Sequence, residues 1–245
     1  MAMKSLTSVR RLITHRIGGL YSKHIPTPCL LCGTNTKQMC LCPNCFVSLP
    51  RLGGCCQRCA LPIPTGQYCG QCLANPPIRH RTHSLFRYSS PVDRLISDMK
   101  YHGQLHLTNY LAILLAQSLQ QQNEIKPQLL IPIPLHPKRL KKRGYNQSVE
   151  LSKTLSQQLN IPLDNNALIR IKNTLPQTQL PYSERKRNMK SAFRSLNTSL
   201  PEHIALIDDV VTTGHTADMA AKIFIEQGVK KVELWTIART IRAHA

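Results

Sequence analysis

The sequence predicts an α/β fold, in which a mostly parallel sheet is flanked by helices and preceded by a small cysteine-rich module. Two observations predict it. All ten cysteines lie between residues 29 and 72, where large apolar side chains are few. From residue 85 onward, apolar runs of strand length alternate with segments of helical periodicity, as in parallel sheets covered on both faces. We therefore expect a basic extension over 1–25, a cysteine-rich module over 26–78 and an α/β domain over 84–245.

Positive charge dominates the first third of the chain. Residues 1–92 contain 11 Lys or Arg and no Asp or Glu, in a chain of formal net charge +20. This excess suits a polyanion such as single-stranded DNA, and a basic surface without a nucleic-acid role fits it equally well. The segment 1–25 is predicted to be a loosely ordered extension or an amphipathic surface helix, since it lacks the apolar centre of a secretory signal. No apolar run approaches about 20 residues, so we expect a cytoplasmic protein without a membrane span.

Eight of the ten cysteines form four CxxC pairs, with 9, 10 and 9 residues between successive pairs. A CxxC turn directs two thiolates at one metal ion, and two such turns complete a closed tetrahedral zinc site. Such pairs can meet across a short hairpin, so we predict two structural zinc sites built from successive pairs. An alternative joins the first pair to the third. The predicted ligands are Cys29, Cys32, Cys42 and Cys45 in the first site, and Cys56, Cys59, Cys69 and Cys72 in the second.

Other cysteine chemistries fit less well. A disulfide framework requires an export signal, redox exchange has no need of four evenly spaced pairs, and an iron–sulfur cluster is a minor alternative. Cys40 and Cys55 lie outside the pairs and are expected to act as small apolar side chains. Two zinc ions on eight thiolates would lower the formal charge of residues 1–92 from +11 to about +7.

The elements of the α/β domain are predicted from its periodicity. Apolar residues recur at helical spacing in some segments and form short continuous runs in others. Because the two kinds of segment alternate, the strands should lie mostly parallel, with ligands bound outside their carboxyl ends. The predicted helices are 92–101, 105–121, 146–159 and 216–227, and the predicted strands are 128–134, 168–171, 204–207 and 232–237.

The strand 204–207 leads into two adjacent carboxylates, a loop of hydroxyls and glycine, and the helix 216–227. Free N–H groups and the dipole at a helix start attract phosphate. Two carboxylates accept hydrogen bonds from sugar hydroxyls or help hold a hydrated divalent cation. The pattern predicts a ligand with a phosphate and a polyol; the alternative is a buried strand that ends in a solvated acidic turn. The candidate binding residues are Asp208, Asp209, Val211, Thr212, Thr213, Gly214, His215 and Thr216.

Two basic segments should converge on the same edge of the sheet. The strand 128–134 is followed by a proline-stiffened loop whose charges suit a pyrophosphate group, or are simply solvated. The polar stretch 177–193 suits a mobile flap that closes over a charged ligand, or a plain exposed basic helix. The candidate residues are Lys138, Arg139 and Arg143 in the loop, and Arg185 and Arg187 in the flap.

Residues 207–216, IDDVVTTGHT, resemble the 5-phosphoribosyl-1-pyrophosphate (PRPP) signature of type I phosphoribosyltransferases. With the features that accompany it, the chain resembles the ComF/GntX family in the same order from residue 29 to residue 239. Those features are the four CxxC pairs, RGYNQ at 143–147, Gln177-Thr178, Arg187-Asn188 and Ala192-Phe193.

The resemblance implies a zinc-ribbon-like module joined to a type I phosphoribosyltransferase domain that binds PRPP with magnesium. In that family the two acids hold the ribose hydroxyls, and the loop after them holds the 5'-phosphate. The resemblance also implies a role in natural competence, the uptake and use of external DNA, with single-stranded DNA and competence proteins as candidate partners. Three functions stay open: a phosphoribosyltransferase with an unknown acceptor, a PRPP or nucleotide sensor without turnover, and a DNA-binding adaptor. No residue identifies itself as a general base.

Overall fold

The computed structural model describes residues 26–241 apart from 38–39, 123, 172–191 and 198. The chain divides into two compact units, Met1–Leu49 and Pro50–Ala245, and each is described by itself. The predicted module and domain boundaries stay predictions, and the extension 1–25 lies outside the described residues. Within the described part of the chain, no helix combines the length and the apolar character that crossing a bilayer requires.

The first unit is small and rich in buried cysteine. An antiparallel pair joins β1 (Thr27–Pro28) to β2 (Asn35–Thr36), and a short helix, α1 (Pro43–Val47), follows. Proline suits the first turn of that helix because an N–H there has no partner within the helix. Cys40 is buried, and burial raises the pKa of its thiol to about 11. The thiol therefore stays protonated, in keeping with a small apolar role.

The second unit carries an α/β fold. Its elements, in chain order, are α2 (Gly70–Ala74), β3 (Arg81–Arg87), α3 (Val92–Tyr101), α4 (Leu105–Gln120), β4 (Leu129–Pro132), α5 (Pro137–Arg143), α6 (Gln147–Leu159), β5 (Leu168–Arg170), β6 (Phe193–Ser195), β7 (His203–Val211), α7 (His215–Glu226) and β8 (Lys231–Arg239). The main sheet has four parallel strands in the order β3-β8-β7-β4, which confirms the predicted fold class. The central strands β7 and β8 are buried along most of their length, as strands covered on both faces are.

The predicted helices are confirmed to within one or two residues at their ends. α6 begins where the side chain of Asn146 accepts a hydrogen bond from the backbone N–H of Ser148. α7 is followed by Gly228 at φ +95°, a left-handed conformation that favours glycine. α3 packs one apolar face into the core, made by Val92, Leu95, Ile96 and Met99.

Several elements differ from the prediction. β7 continues to Val211, four residues beyond the predicted strand 204–207, so Asp208 and Asp209 lie within the strand rather than after it. Residues 137–143 form α5 rather than a loop, because proline suits the first helical turn, the Lys, Arg and Leu that follow are good helix formers, and Gly144 at φ +83° ends the helix. β5 is a strand, but it pairs antiparallel with β6 outside the main sheet. The sequence pattern does not predict β3, because the buried Thr82 and Ser84 interrupt the apolar run of this edge strand.

The start of α7 is held by the core of the second unit. Apolar side chains of α7 and of the two central strands belong to one buried cluster, which therefore places the helix start directly after the end of β7. Members of the cluster on α7 are Ala217, Ala220, Ala221 and Phe224, and members on β7 and β8 are Ile204, Leu206, Val211, Val232 and Leu234.

Candidate functional site

Two carboxylates stand at the carboxyl end of β7, where the sequence predicts them. The Oδ1 atom of Asp208 accepts hydrogen bonds from the hydroxyl of Ser148 on α6, at 3.1 Å, and from the backbone N–H of Asp209, at 2.9 Å. The carboxylate of Asp209 lies 3.0 Å from the ammonium nitrogen of Lys100, in the last turn of α3. Three elements therefore hold the two acids in place.

The pKa values of Asp208 and Lys100 are both shifted from their usual ranges. Burial, together with the neighbouring charge of Asp209, raises the pKa of Asp208 to about 7. Burial acts to lower the pKa of Lys100, but the charges of Asp209 and Asp208 outweigh it and raise that pKa above its usual value. Lys100 thus stays a cation while Asp208 is partly protonated near neutral pH. A divalent cation brought to this site would favour the ionised form of Asp208.

The predicted loop 212–216 connects β7 to α7. Gly214 precedes the helix at φ +85°, and a Cβ built on it would lie 2.6 Å from Nη2 of Arg79. The positive φ and the lack of room for a Cβ atom beside Arg79 both require glycine at this position. Gly214 offers no side chain to the first amides of α7, which leaves the helix start suited to an anion. The loop side chains that are exposed or half-buried are Thr212, Thr213, His215 and Thr216.

Two buried arginines hold this loop from the protein side. Arg239, at the end of β8, donates from Nη1 to the carbonyls of Val211, at 3.2 Å, and Thr212. Arg79 is 2% exposed and donates from Nη1 to the carboxylate of Asp218 in the first turn of α7, at 2.6 Å. The loop backbone is therefore anchored at both of its ends.

The eight paired cysteines form two groups, each from successive pairs, as the spacing favours. None of the ten cysteines, all of which lie in the described part of the chain, forms a disulfide. Within each group the four sulfurs lie within 4.8 Å of one another, and one sulfur pair in each group is 3.7 Å apart. Tetrahedral zinc with Zn–S bonds of about 2.3 Å places its sulfurs roughly 3.8 Å apart, so both donor sets fit such an ion. We call Cys29, Cys32, Cys42 and Cys45 the first four-cysteine group, and Cys56, Cys59, Cys69 and Cys72 the second.

Backbone amides prepare one thiol in each group for metal binding. Burial acts to raise the pKa of Cys29, but hydrogen bonds from backbone N–H groups, including that of Cys42, outweigh it and lower that pKa to about 6. In the second group, burial likewise acts to raise the pKa of Cys56, but hydrogen bonds from the backbone N–H groups of Cys69 and Cys59 outweigh it and lower that pKa to about 7. The thiolate is the form that binds a metal, so each group offers one such ligand near neutral pH. In the metal-free groups, hydrogen bonds with Cys32 and Cys42 raise the pKa of Cys45 to about 12, and burial raises the pKa of Cys59 to about 11, so metal binding there releases protons.

The basic residues that the sequence predicts for the site lie in different surroundings. Lys138 and Arg139 are exposed on α5, which follows β4, the neighbour of β7 in the sheet. Arg143 donates to the side-chain oxygen of Gln147 at 2.6 Å, and its guanidinium lies 5.2 Å from the ring centroid of Tyr101. Arg143 therefore makes packing contacts within the unit. The flap residues Arg185 and Arg187 lie outside the described residues.

Sequence reasoning missed Lys100, Arg79 and Arg239. Arg79 meets Asp218 across 139 residues of chain, and Arg239 meets Cys59 across 180. Only the fold joins such partners. Lys100 carries a weak local signal, since a cation is favourable in the last turn of a helix, but that signal does not indicate a carboxylate partner.

The chain is similar in sequence to known proteins. No protein-family model matches the chain. The chain is 36% identical over 181 residues to Competence protein F of Haemophilus influenzae, and the alignment covers 71% of this chain and 79% of that protein. It is 31% identical over 206 residues to DNA utilization protein YhgH of Salmonella typhimurium, covering 82% of this chain and 91% of the relative.

Solved structures align with part of the chain at low scores. Glutamine PRPP amidotransferase from B. subtilis aligns with a TM-score of 0.36 and 15% identity, over 53% of this chain and 25% of that chain. Purine phosphoribosyltransferase from Pyrococcus horikoshii aligns with a TM-score of 0.31 and 18% identity, over 55% of this chain and 83% of that chain.

Metal analysis of the purified chain by plasma mass spectrometry should give about two zinc ions per chain, because each four-cysteine group supplies a complete tetrahedral donor set. Cys45→Ser should reduce the value to about one. Cys40→Ser is the matched control and should keep two, since Cys40 belongs to neither group. A folded, reduced chain with almost no bound metal would contradict the prediction.

Proposed function

The chain belongs to the ComF/GntX family of competence and DNA-utilization proteins, and from that membership we propose that its second unit binds PRPP with magnesium at the carboxyl end of β7. One observation carries the proposal. Two adjacent carboxylates, Asp208 and Asp209, lie near the end of β7, and the short loop after that strand leads to a helix start at Gly214 that suits an anion. A ligand that combines ribose hydroxyls with a 5'-phosphate matches this order of groups.

We propose a role for each part of the site. The backbone N–H groups and hydroxyls over 212–216 bind the 5'-phosphate. Asp208 and Asp209 accept hydrogen bonds from the ribose hydroxyls and help hold the hydrated magnesium that accompanies the pyrophosphate. The ammonium group of Lys100 offsets part of the negative charge of the acid pair in the free protein, which reduces the cost of placing two carboxylates side by side.

The proposed chemistry is phosphoribosyl transfer. The C1–O bond to pyrophosphate breaks, pyrophosphate leaves with the bonding electrons, and a nucleophilic atom of the acceptor bonds to C1 and gives up its proton. Positive charge develops on the ribose ring, so the carboxylates of Asp208 and Asp209 stabilise it. The exposed cations Lys138 and Arg139 lie on the helix that follows the neighbouring strand, where they suit the leaving pyrophosphate, and Arg143, Arg185 and Arg187 are further candidates. A PRPP sensor would use the same binding groups without the transfer step.

We propose that zinc fills both four-cysteine groups and has a structural role. Four protein thiolates complete the tetrahedron, which leaves no position for a substrate or a water molecule. The buried cluster around the second group consists largely of its own cysteines, with Leu61 and Ile63 packed against them. Because so little apolar surface is buried there, metal binding should supply much of the free energy that folds this segment.

A second candidate function, binding of single-stranded DNA, is supported by a different surface of the second unit. A cavity of about 510 Å³ has five basic side chains, the ring of one tyrosine and one acid, Glu124, in its lining. The guanidinium of Arg58 lies 4.8 Å from the ring centroid of Tyr68. Aromatic rings beside cations bind single strands without sequence preference, through stacking and phosphate contacts. The basic and aromatic lining residues are Arg58, Tyr68, Arg79, His80, Arg81 and Lys231.

Replacing Asp208→Asn together with Asp209→Asn should weaken the affinity for magnesium and PRPP by at least about 100-fold, because two charge-assisted interactions are lost. Calorimetry measures the affinity, and thermal unfolding checks that the fold is kept. Glu202→Gln with Glu226→Gln is the matched control, since it removes the same charge from two exposed acids. Equal affinity in the site variant and the control would rule out this binding mode.

Affinity for magnesium and PRPP should rise about tenfold from pH 6 to pH 8, since the pKa of Asp208 is raised to about 7 and binding requires its ionised form. The sign follows from the direction of the shift: protonated carboxyl predominates below that pKa, and carboxylate above it. PRPP itself ionises over this range, so Asp208→Asn serves as the reference. The same pH dependence in both proteins would show that Asp208 does not cause it.

If single-stranded DNA binds to the surface that carries Arg58 and Tyr68, Tyr68→Ala should weaken binding of oligothymidine about tenfold through the loss of one stacking contact. Tyr101→Ala removes an exposed tyrosine elsewhere in the unit and should leave affinity unchanged. Fluorescence anisotropy at several salt concentrations measures both, and the affinity should fall steeply with salt. Weak binding that does not depend on salt would exclude this candidate.

A further inference from the structure

The second four-cysteine group and the loop 211–216 share a buried guanidinium. Arg239 is 6% exposed. Its Nε donates to the carbonyl of Cys59 at 2.8 Å, and its Nη1 donates to the carbonyl of Val211 at 3.2 Å and to that of Thr212. One side chain therefore joins the backbone of a cysteine ligand to the backbone of the loop.

A second path runs through Arg79. Its Nε donates to the hydroxyl of Thr82 at 2.7 Å, and that hydroxyl in turn donates to the carbonyl of Arg58 at 2.7 Å. On the other side, Nη1 of Arg79 bonds the carboxylate of Asp218 at 2.6 Å, and the guanidinium lies against the Cα of Gly214. The carbonyls of the neighbouring residues Arg58 and Cys59 thus both support the loop.

These contacts act on the atoms that face an anion. In a trans peptide the carbonyl and the following N–H point in opposite directions. When Arg239 holds the carbonyls of Val211 and Thr212, it also directs the N–H groups of Thr212 and Thr213 away from the protein core. Those N–H groups belong to the loop that is proposed to bind the 5'-phosphate, so Arg239 fixes their direction without touching the ligand.

The position of the supporting carbonyls depends on the second four-cysteine group. The backbone N–H of Ala60 donates to the carbonyl of Cys56 at 2.8 Å, and the N–H of Cys56 donates to the carbonyl of Leu61, also at 2.8 Å. This tight turn contains two metal ligands, Cys56 and Cys59, with Arg58 between them. A bound metal ion holds the four sulfurs within 4.8 Å of one another through its bonds to them, so loss of the metal should open the turn.

We infer that metal binding at the second four-cysteine group and anion binding at the loop 211–216 are thermodynamically coupled, with Arg239 and Arg79 as the positioning residues that join them. The inference rests on the proposed anion site at this loop. It makes the second group a regulatory element, since loss of its metal would lower anion affinity. Because coupling is reciprocal, a bound anion should raise the metal affinity of the second group by the same factor.

The first test compares Cys69→Ser with Cys45→Ser, two half-buried ligands taken from the second and the first group. Each variant should lose one zinc ion. Hydrogen exchange of the amides over 212–216, measured without any ligand, should become at least tenfold faster in Cys69→Ser and stay unchanged in Cys45→Ser. Affinity for magnesium and PRPP should fall at least tenfold in Cys69→Ser alone. Unchanged exchange in a folded Cys69→Ser chain that has lost its metal would overturn the coupling.

The second test uses Arg239→Lys, which keeps the charge and removes the planar fork that reaches both backbones. Zinc content should stay at about two, while loop exchange accelerates and PRPP affinity falls as in Cys69→Ser. The double variant, Cys69→Ser with Arg239→Lys, should lose less free energy of PRPP binding than the sum of the losses in the two single variants, because both changes interrupt one path. Full additivity would show that Arg239 does not connect the two sites.

A third measurement needs no variant and applies even where Cys69→Ser does not fold. A chelator competes for zinc in the unaltered chain, with and without saturating magnesium and PRPP. PRPP should protect one of the two ions by at least tenfold, whereas equal loss of both ions would contradict the coupling. If PRPP does not bind at all, the proposed function fails, and ligand-free hydrogen exchange still decides whether metal and loop are coupled.

Discussion

The parallel pairing of β7 with β8 is the contact on which the candidate site depends. Its register sets Asp208 opposite Thr236 and Val211 opposite Arg239. Parallel strands end at the same edge of a sheet, so two acids, a loop and a guanidinium from separate parts of the chain arrive together. Pairing with β4 on the other side adds α5 and its cations to that edge. The backbone hydrogen bonds of the sheet thus bring the residues of the site to one edge, independently of contacts between their side chains.

The buried charges show how a strongly basic chain builds a compact interior. Burying a guanidinium costs several kcal/mol unless its donors are satisfied. The guanidinium of Arg79 donates to a carboxylate and a hydroxyl. The guanidinium of Arg239 donates to four backbone carbonyls, those of Cys59, Val211, Thr212 and Thr240. Lys100 is satisfied by Asp209. Arg239, Arg79 and Lys100 therefore hold the loop and the acids in position and also place positive charge beside them.

Features with a local signal could be predicted from the sequence. The CxxC spacing indicated both cysteine groups, and the apolar runs and helical periodicity indicated the central strands and the long helices. The run of charges over 137–143 is typical of a solvated loop, whereas the proline at its start and the glycine at its end, which favour α5, are weaker signals. The partners of Lys100, Arg79 and Arg239 could not be predicted, since strand register and helix packing join them over distances that no local pattern spans.

The location of the second four-cysteine group within Pro50–Ala245 has a consequence for how such chains diversify. The first group belongs to a separate compact unit, so its loss should leave the internal contacts of Pro50–Ala245 in place. The second group differs, because the backbone carbonyl of Cys59 is one of the acceptors of the Arg239 guanidinium. Any residue at position 59 offers that carbonyl, but the turn around the cysteines sets its position, so we expect substitutions of the second group to be accompanied by substitutions at position 239.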